Sequence, residues 1–527
     1  MTGTNSRALP VGIQSFSEMR KKGFLYVDKT DLIWELTHKG KKKYHYLSRP
    51  RRFGKSVLVD TLQAYFEGQK DLFAGLRIME LEKEWTQYPV IRLDMSRGGA
   101  TVVELRAYLD SVFSKYEETY GITYKVDEPL NNRFDAIITT AYEQTGQQVV
   151  ILIDEYDSPL QHSWKTPEHE GCTDVYRSVF AILKADDVYE RFVFITGITK
   201  FTQISLFSVL NNLSNISFEP QFAAICGITK QEIIDNFMPE IEQMGHENRW
   251  NTEETIAQLK SYYDGYHFSR RNMVDVFNPF SLINALSDMD LKNYWAASGA
   301  TSLLPKFVGD MELRLDYFDH CYIDRDTLET SDVSDGGAEL FLYQSGYLTI
   351  KEYEEGVYTL GFPNYEVRKA LYKIVIPALT MKTTSEVISS QSLLMKMMQD
   401  GKVAEAMTAL KALISDVPYS NKKLAIMDME ERYRLIISTI MKAIGFKVEV
   451  ERMLATGRID IIISTLRFIY VVELKLSNNG GIAAAENQIK TNQYTAPFKA
   501  DKRKVIALAI ELDDLGKGLV DWKVVEE

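Results

Sequence analysis

The sequence predicts an α/β fold, with a parallel sheet and its helices first, a helix-rich stretch next, and a second α/β domain near the C-terminus. In the first half, short apolar runs alternate with stretches of helical periodicity, an order typical of parallel sheets. These runs cover residues 44–48, 89–94, 149–153 and 191–197. Near the C-terminus, the β-branched runs Ile459–Ile463 and Phe468–Val472 are separated by a few turn residues and predict a hairpin.

Length and composition indicate a globular protein with several domains. A chain of 527 residues exceeds one ordinary core and suggests two to four domains. The net charge of −12 argues against general coating of nucleic acid. Because the sequence has no long uncharged apolar stretch and no apolar N-terminal leader, we expect a cytoplasmic protein without a membrane span. Cys172, Cys226 and Cys321 lack metal-binding spacing, and we expect reduced thiols.

Positive charge is concentrated at the N-terminus. Residues 1–60 contain 13 Lys and Arg against five Asp and Glu. The region is either a phosphate-binding surface, for a nucleotide or a nucleic-acid backbone, or a solvated basic loop. The sequence does not decide between these interpretations for the run formed by Lys39, Lys41, Lys42 and Lys43.

The segment Arg49–Ser56 has the pattern of a phosphate-binding loop. It reads Arg-Pro-Arg-Arg-Phe-Gly-Lys-Ser, with arginine in place of the first glycine of the usual pattern. An apolar run precedes the segment and a helical pattern follows it, so a helix N-terminus would supply the anion site. Lys55 would then reach the phosphates and Ser56 would hold Mg²⁺, although an arginine-rich surface turn is the alternative. The candidate nucleotide-binding residues of this loop are Arg52, Phe53, Gly54, Lys55, Ser56 and Val57.

The run Val149–Glu155 provides a second indication of a nucleotide site. Its continuous apolar character predicts a strand that is buried on both faces. Asp154 at the end of this strand is placed to hold Mg²⁺, and Glu155 to activate the attacking water. Thr196 ends the next strand, where polar side chains can sense the γ-phosphate, whereas Thr199 is expected to make ordinary strand-end hydrogen bonds. A strand that merely ends in solvated acids is the alternative for Asp154 and Glu155.

The C-terminal hairpin carries a different set of polar residues. Glu473 and Lys475 are two residues apart, so their side chains leave the same face of a strand, and Asp460 can converge on that face from the other strand. Two carboxylates can bind Mg²⁺ as metal ligands, and the Lys475 ammonium can position water or offset phosphoryl charge. Ordinary strand-end acids with a solvated lysine remain the alternative.

These motifs together resemble the AAA-ATPase-like family that accompanies PD-(D/E)XK nuclease domains in bacterial and archaeal genomes. The resembling N-terminal segments are residues 24–30, 48–56, 153–157, 196–200, 205–213, 262–266, 278–281 and 294–295. The resemblance implies that Arg49 is the family's normal form of the loop. The C-terminal hairpin resembles the PD-(D/E)XK core in the form Asp…Glu-Leu-Lys, with Ile459 in place of the proline.

The same resemblance adds residues to the nuclease site. Glu431 matches an additional acidic position, although the neighbouring Glu430 could serve instead. Gln488 and Tyr494 match the helix that follows the core, with helix capping and core packing as their respective alternatives. Arg270 and Arg271 are arginine-finger candidates only through their place in the helical region.

We therefore expect a P-loop NTPase domain and a restriction-endonuclease-like domain in one chain. The expected boundaries are a P-loop AAA-ATPase-like domain at 1–227, a helical lid at 228–300, a mostly helical linker or packing region at 301–415, and a nuclease-like domain at 416–527. The expected cofactors are ATP and Mg²⁺, and the expected partner is nucleic acid, with DNA favoured over RNA and a homo-oligomer left open. One alternative is an ATP-dependent switch or scaffold whose C-terminal domain binds nucleic acid without cutting, and another is a nucleotide-binding module that hydrolyses little.

Overall fold

The computed structural model describes residues 8–39, 42–123, 127–200, 213–295, 317–330, 337–380, 382–415 and 428–526. Residues 205–212 of the family resemblance and Lys41 of the basic run lie outside the described residues. The described chain divides into two units, which are presented separately. The first contains the residues up to 295 and 320–367, and the second contains 317–319 and 368–526.

A five-stranded parallel sheet forms the centre of the first unit. Its strands are β1 (Tyr44–Ser48), β2 (Val90–Asp94), β3 (Val149–Asp154), β4 (Glu190–Gly197) and β5 (Ser214–Asn215). Their order across the sheet is β2-β3-β4-β1-β5, and every neighbouring pair is parallel. Every residue of β3 is buried, because this strand lies inside a sheet with apolar neighbours on both faces. The predicted parallel α/β sheet is confirmed.

Nine described helices accompany this sheet. They are α1 (Phe16–Lys22), α2 (Thr30–His38), α3 (Lys55–Phe66), α4 (Ile78–Leu81), α5 (Val102–Tyr120), α6 (Leu130–Thr145), α7 (Ser158–Ser163), α8 (His169–Phe180) and α9 (Ile182–Ala185). The long helix α5 begins with a capping box in which Thr101 and Glu104 bond each other's backbone N–H groups. Helix α3 follows the phosphate loop directly, as the apolar spacing predicts.

The remainder of the first unit is a helical subdomain and a small antiparallel sheet. The subdomain contains β6 (Ile228–Thr229), α10 (Lys230–Asn236), α11 (Met238–Asn248), α12 (Thr252–Tyr263), β7 (Val276–Phe277) and α13 (Pro279–Asp288). It has its own apolar core, which includes Ile233, Phe237 and Leu282. The small sheet, in the order β8-β10-β9, and its helices are β8 (Cys321–Asp324), α14 (Arg325–Thr330), α15 (Gly337–Gln344), β9 (Thr349–Glu354) and β10 (Val357–Gly361). The stretch expected to be mostly helical thus also contains three strands.

The second unit contains helices and a mixed five-stranded sheet. Its helices are α16 (Tyr365–Thr380, from residue 368 onward), α17 (Thr384–Asp400), α18 (Val403–Leu413), α19 (Met429–Ala443) and α20 (Gly481–Asn492). Its strands are β11 (Lys447–Leu454), β12 (Gly457–Ser464), β13 (Phe468–Leu476), β14 (Lys504–Leu512) and β15 (Leu519–Val525), in sequential order. Only the pair β13–β14 is parallel, and β12–β13 is the predicted hairpin.

The described helices are short or polar relative to a bilayer. None of them is long and apolar enough to cross a membrane. The three cysteines are free and buried. The sequence predicts four domains or regions, whereas the structure divides the chain into two units. The four-part division therefore remains a prediction.

Candidate nucleotide and nuclease sites

The carboxyl edge of the parallel sheet brings the predicted nucleotide-site segments together. Strand β4 lies between β1 and β3, with Ser48 paired to Gly197 and Ile153 paired to Ile195. The phosphate loop leaves β1 at this edge, and Asp154 ends β3 at the same edge. In open α/β sheets, ligands bind in the crevice outside the carboxyl ends of the strands.

Arg49, which stands where the loop pattern expects glycine, is a buried structural residue. It is 1% exposed, and its guanidinium donates to the carbonyl oxygens of Ser48, Ser217 and Phe222 at 2.8, 3.0 and 3.0 Å. Its Cζ atom lies 4.1 Å from the ring centre of Phe268. Burial lowers the pKa of Arg49 to about 10. The side chain therefore anchors the start of the loop within the protein.

The loop itself turns through left-handed backbone conformations. Arg52 has φ 67° and Gly54 has φ 86°, and a β-carbon at Gly54 would meet no atom within 4 Å. Glycine is favoured there by backbone conformation and not by space. Phe53 between them is buried, with its ring centre 4.7 Å from that of Tyr266 and 5.4 Å from that of Phe268. The helical subdomain thus holds the turn of the loop through aromatic contacts.

Lys55 lies inside the loop at the first position of α3. It is 4% exposed, and its Nζ donates to the backbone oxygens of Arg49 and Pro50 at 3.0 Å each. Ser56 and Val57 follow in the first turn of the helix, where N–H groups have no helical acceptor. The arrangement offers an ammonium and a helix N-terminus to an anion, which is what a nucleotide phosphate requires.

Asp154, Glu155 and Thr196 form one hydrogen-bonded group beside the loop. The Thr196 hydroxyl donates to Asp154 Oδ1 at 2.6 Å and accepts from the Glu155 N–H at 3.3 Å. Thr196 is fully buried, and its hydroxyl orients the Asp154 carboxylate and bonds the backbone of Glu155. Glu155 adopts φ 49°, and its pKa is raised chiefly by burial, with the positive charge of Lys55 acting in the opposite direction. A carboxyl with a raised pKa beside a phosphate-loop lysine is suited to proton transfer.

Asp157 is a polar residue of this edge that the sequence did not single out. Its Oδ2 atom accepts from the N–H groups of Ile198 and Thr199, and from the side chains of Thr199 and Gln161, at 2.6–3.0 Å. The carboxylate is 1% exposed and joins the segment after β3 to the segment after β4. It lies in the Ile-Asp-Glu-Tyr-Asp run, but spacing alone does not reveal which strand-end acid will be buried.

The described part of the basic run lies at the opposite edge of the sheet. Lys42 and Lys43 precede β1, whereas the phosphate loop follows it. Lys43 Nζ donates to the Asp187 carbonyl oxygen at 2.8 Å, and Lys39 pairs with Glu35 at 3.2 Å. These lysines therefore do not contribute to the nucleotide site, and a role toward a nucleic-acid backbone remains a prediction.

In the second unit, the hairpin gathers Asp460, Glu473 and Lys475 with an acid from α19. The facing strands β12 and β13 end their pairing at Ile461 and Val472, and Asp460 and Glu473 lie directly beside this pair. Lys475 Nζ lies 3.1 Å from Glu473 Oε1 and 3.5 Å from Glu430 Oε1. Three carboxylates and an ammonium group are therefore close together at one end of the hairpin.

Burial makes this group electrostatically unusual. Glu473 is 1% exposed, and burial, followed by the negative charge of Asp460, raises its pKa to about 8. Burial also raises the pKa of Glu430. For Lys475, burial lowers the pKa, but the surrounding carboxylates outweigh it and the pKa is raised overall. The lysine is thus held charged beside Glu430 and Glu473, whose ionised forms burial disfavours.

The structure brings Glu430, and not its neighbour Glu431, to Lys475. Successive residues of an α-helix point about 100° apart, so two adjacent side chains do not share one face. The sequence resemblance favoured Glu431 and named Glu430 as the alternative. The observed contact with Lys475 supports Glu430.

Gln488 and Tyr494 lie in a hydrogen-bonded group at the start of β12. Gln488 Nε2 donates to the Tyr494 hydroxyl at 3.0 Å, and this hydroxyl donates to the Arg458 carbonyl oxygen at 2.8 Å. Tyr494 is fully buried. Through Tyr494, Gln488 is thus linked to the backbone of Arg458, two residues before Asp460. A direct catalytic role for Gln488 remains a prediction.

The acids of the hairpin fit a hard divalent cation in their chemistry. Glu473 Oε2 is buried and has no hydrogen-bond partner among the described residues, so an oxygen ligand is available beside Asp460. Within the described ranges, no three or more His, Cys, Asp and Glu side chains are grouped as a metal site. Mg²⁺ sites often use only one or two carboxylates and complete their coordination with water and substrate oxygens.

Fold and geometry together describe a protein with a phosphate-loop motif at the carboxyl edge of a parallel sheet in its first unit and an acidic hairpin in its second. Comparison with protein families agrees with both parts. Residues 10–207 match the model of a predicted AAA-ATPase, and residues 428–522 match the PD-(D/E)XK nuclease superfamily. The chain therefore contains an AAA-ATPase-like domain and a PD-(D/E)XK nuclease superfamily domain. At the family level this combines an ATPase with a nuclease.

Two individual proteins are also similar to this chain. An uncharacterized protein in the vnfD 5'region of Azotobacter chroococcum mcd 1 is 28% identical over 537 residues, which cover 98% of this chain and 99% of that protein. The crystal structure of Cdc6p from Pyrobaculum aerophilum aligns with 67% of this chain and 97% of its own, at 10% identity and a TM-score of 0.25. A TM-score this low supports no argument about fold.

Proposed function

We propose that this protein binds ATP with Mg²⁺ in its AAA-ATPase-like domain and cleaves phosphodiester bonds of nucleic acid, with DNA favoured over RNA, in its C-terminal domain. The observation that carries the proposal is the buried acid pair Asp460 and Glu473 with the half-buried Lys475 and Glu430 beside it, in which one Glu473 oxygen has no partner among the described residues. A buried acid pair of this kind is costly for folding, so it is expected to serve a ligand.

In this proposal each side chain of the hairpin has a defined task. Asp460 and Glu473 would hold Mg²⁺, which would supply charge stabilisation at the phosphoryl oxygen and acidify a bound water. Lys475, 3.1 Å from Glu473, keeps its proton and offsets negative charge that develops on the phosphate. Glu430 orients the Lys475 ammonium from α19.

The nucleotide site is assigned in the same way. Lys55 and the first turn of α3 would bind the phosphates, and Ser56 and Asp154 would support Mg²⁺. Thr196 orients Asp154 through its 2.6 Å hydrogen bond. Glu155, whose pKa is raised by burial, would accept a proton from the attacking water.

Cleavage of single- and double-stranded DNA and RNA with Mg²⁺ tests the nuclease proposal. We expect cleavage by the wild type and loss of at least about 100-fold in Glu473→Gln and Lys475→Ala, since each removes a group at the reacting phosphate. Lys523→Ala, which removes an exposed lysine of the same domain paired with Glu486, should retain activity. Equal inertness of the wild type and both site variants on all four substrates would contradict the proposal.

Phosphate release from ATP tests the other half. Glu155→Gln should slow release by at least about 100-fold while ATP binding is retained, because the acid acts on water and not on the bound nucleotide. Equal rates in the wild type and Glu155→Gln would remove Glu155 from the mechanism. They would also favour a domain that binds ATP and hydrolyses little.

A further inference from the structure

Arg434 is a second cation of the nuclease hairpin, and it contacts Asp460 directly. It lies on α19, four residues after Glu430, and its side chain is 10% exposed. Its Nη1 atom donates to Asp460 Oδ1 at 3.2 Å. The second oxygen of Asp460, Oδ2, accepts from the Leu474 N–H at 2.9 Å. Both oxygens of this acid therefore already have a hydrogen-bond donor.

The same guanidinium is also bound from the opposite side by Glu451. Arg434 Nη2 lies 3.0 Å from Glu451 Oε1. Glu451 is on β11, at the position opposite Asp460 between two regular residue pairs. Its backbone has φ 53°, an unfavourable left-handed conformation for a residue other than glycine.

Charge balance explains why an arginine is placed here. Asp460 and Glu473 are 4% and 1% exposed, and two buried carboxylates side by side repel each other strongly. Lys475 is bonded to Glu473 and Glu430, which leaves Asp460 to Arg434. Arg434 therefore neutralises the acid that the proposed function assigns to Mg²⁺.

We propose that Arg434 acts as a resident cation at Asp460 that Mg²⁺ must displace or share, and that Glu451 determines how firmly the arginine is held there. This inference rests on the proposed function, because it assumes that Asp460 is a metal ligand. Arg434 is a positioning residue in this account: it keeps the acid pair assembled and lowers the affinity of the hairpin for the divalent ion. Glu451 competes with Asp460 for the guanidinium and so eases its release.

The test is calorimetric titration of Mg²⁺ alone into the full-length protein without nucleotide or nucleic acid. Arg434→Met should bind Mg²⁺ about tenfold more tightly than the wild type, because the change removes a positive charge that would repel the ion and frees the Asp460 oxygen that the guanidinium occupies. Glu451→Gln should bind about threefold more weakly, since the guanidinium is then left to Asp460 alone. The control is Arg452→Met. This change removes an arginine that lies next to Glu451 on β11 and pairs with Glu449, and the Mg²⁺ affinity of the variant should equal that of the wild type.

The opposite signs distinguish this role from damage to the fold. A purely structural arginine would give weaker binding in both Arg434→Met and Glu451→Gln, and this result would overturn the inference. Unchanged affinity in Arg434→Met would overturn it as well, while Mg²⁺-dependent cleavage by the wild type would leave the proposed nuclease intact. A wild type that neither binds Mg²⁺ nor cleaves would overturn both. If Arg434→Met does not fold, Arg434→Gln takes its place: tighter Mg²⁺ binding than in the wild type supports the inference, and unchanged or weaker binding overturns it.

Discussion

At position 49, arginine forms bonds that the glycine of the usual phosphate loop could not form. Its guanidinium holds the carbonyl oxygens of Ser217 and Phe222, which follow the last strand of the parallel sheet. The loop pattern identifies where a phosphate binds, but it does not indicate where an unexpected side chain will point. This direction depends on residues more than 160 positions away, and it could not be read from the local sequence.

Restoring the usual glycine at this position should therefore destabilise the protein. Arg49→Gly removes the three hydrogen bonds to the carbonyl oxygens of Ser48, Ser217 and Phe222, and we expect a loss of about 2 kcal/mol or more in the free energy of unfolding. Urea unfolding followed by circular dichroism measures it. Arg52→Gly is the matched control in the same loop, because Arg52 has φ 67° and glycine accepts that conformation. Unchanged or greater stability in Arg49→Gly would show that the arginine is not the anchor.

Glu430 and Glu431 give a second contrast between adjacent residues. Glu430 contacts Lys475 at 3.5 Å, so Glu430→Gln should free the ammonium and lower the cleavage rate by about tenfold or more. Glu431→Gln should remain within about twofold of the wild type. Initial rates on one labelled oligonucleotide suffice for the comparison. A larger loss of cleavage rate in Glu431→Gln than in Glu430→Gln would assign the role to Glu431 instead.

The i, i+4 spacing of Glu430 and Arg434 is a signal that sequence reasoning could have used. Residues four apart on a helix lie on one face, so if Glu430 faces the hairpin, Arg434 faces it too. Glu451 offered no such signal, because its place opposite Asp460 depends on an irregular residue in β11. The pattern predicts strands, but not their irregularities.

Among the elements, strands β1 to β4 of the parallel sheet and the hairpin strands β12 and β13 were the most predictable. Continuous apolar runs such as Val149–Asp154 have few structural alternatives when short turns bound them. The small sheet of β8, β9 and β10 was not predicted, because its strands are only four to six residues long and β9 contains three charged side chains. Its register is set by pairing with distant segments, and composition does not reveal this.

The amino ends of β1 and β4 meet in a buried acidic group that should make stability depend on pH. The Tyr44 hydroxyl lies 2.6 Å from Glu190 Oε2 and 2.9 Å from Asp187 Oδ1. One hydroxyl has one proton and cannot donate to both acids at once. Burial, together with the nearby charges of Asp186 and Asp187, raises the pKa of Glu190 from 4.5 to about 8, although the Tyr44 hydrogen bond and Lys43 act in the opposite direction.

The sign of the effect follows from proton binding. Between about pH 4.5 and pH 8 the folded protein keeps the Glu190 proton while the unfolded chain loses it, so stability falls as pH rises. Glu190→Gln removes this dependence, and its melting temperature should fall less than that of the wild type between about pH 5.5 and pH 8.5. Glu143→Gln, at an exposed position of α6, is the control and should follow the wild type. Parallel curves for Glu190→Gln and the wild type would contradict the assignment.

For the whole chain, the central feature is that an AAA-ATPase-like domain and a nuclease superfamily domain are joined in one protein. The comparisons establish both domains, and we propose that ATP binding at Lys55 controls cleavage at Lys475. Coupling of this kind is a free energy shared between two sites, and it requires that nucleotide change the activity of the second site. The sequence predicts both chemistries from their motifs, but no motif specifies a coupling.

The most direct test of this coupling is Mg²⁺-dependent cleavage of DNA and RNA by the wild type, Lys55→Ala and Lys475→Ala, each with and without ATP. We expect the wild type to cleave at a rate that changes with ATP. Lys55→Ala should cleave without responding to ATP, and Lys475→Ala should not cleave under either condition. Equal activity of the wild type and Lys475→Ala, or inertness of both on every substrate, would contradict the proposal.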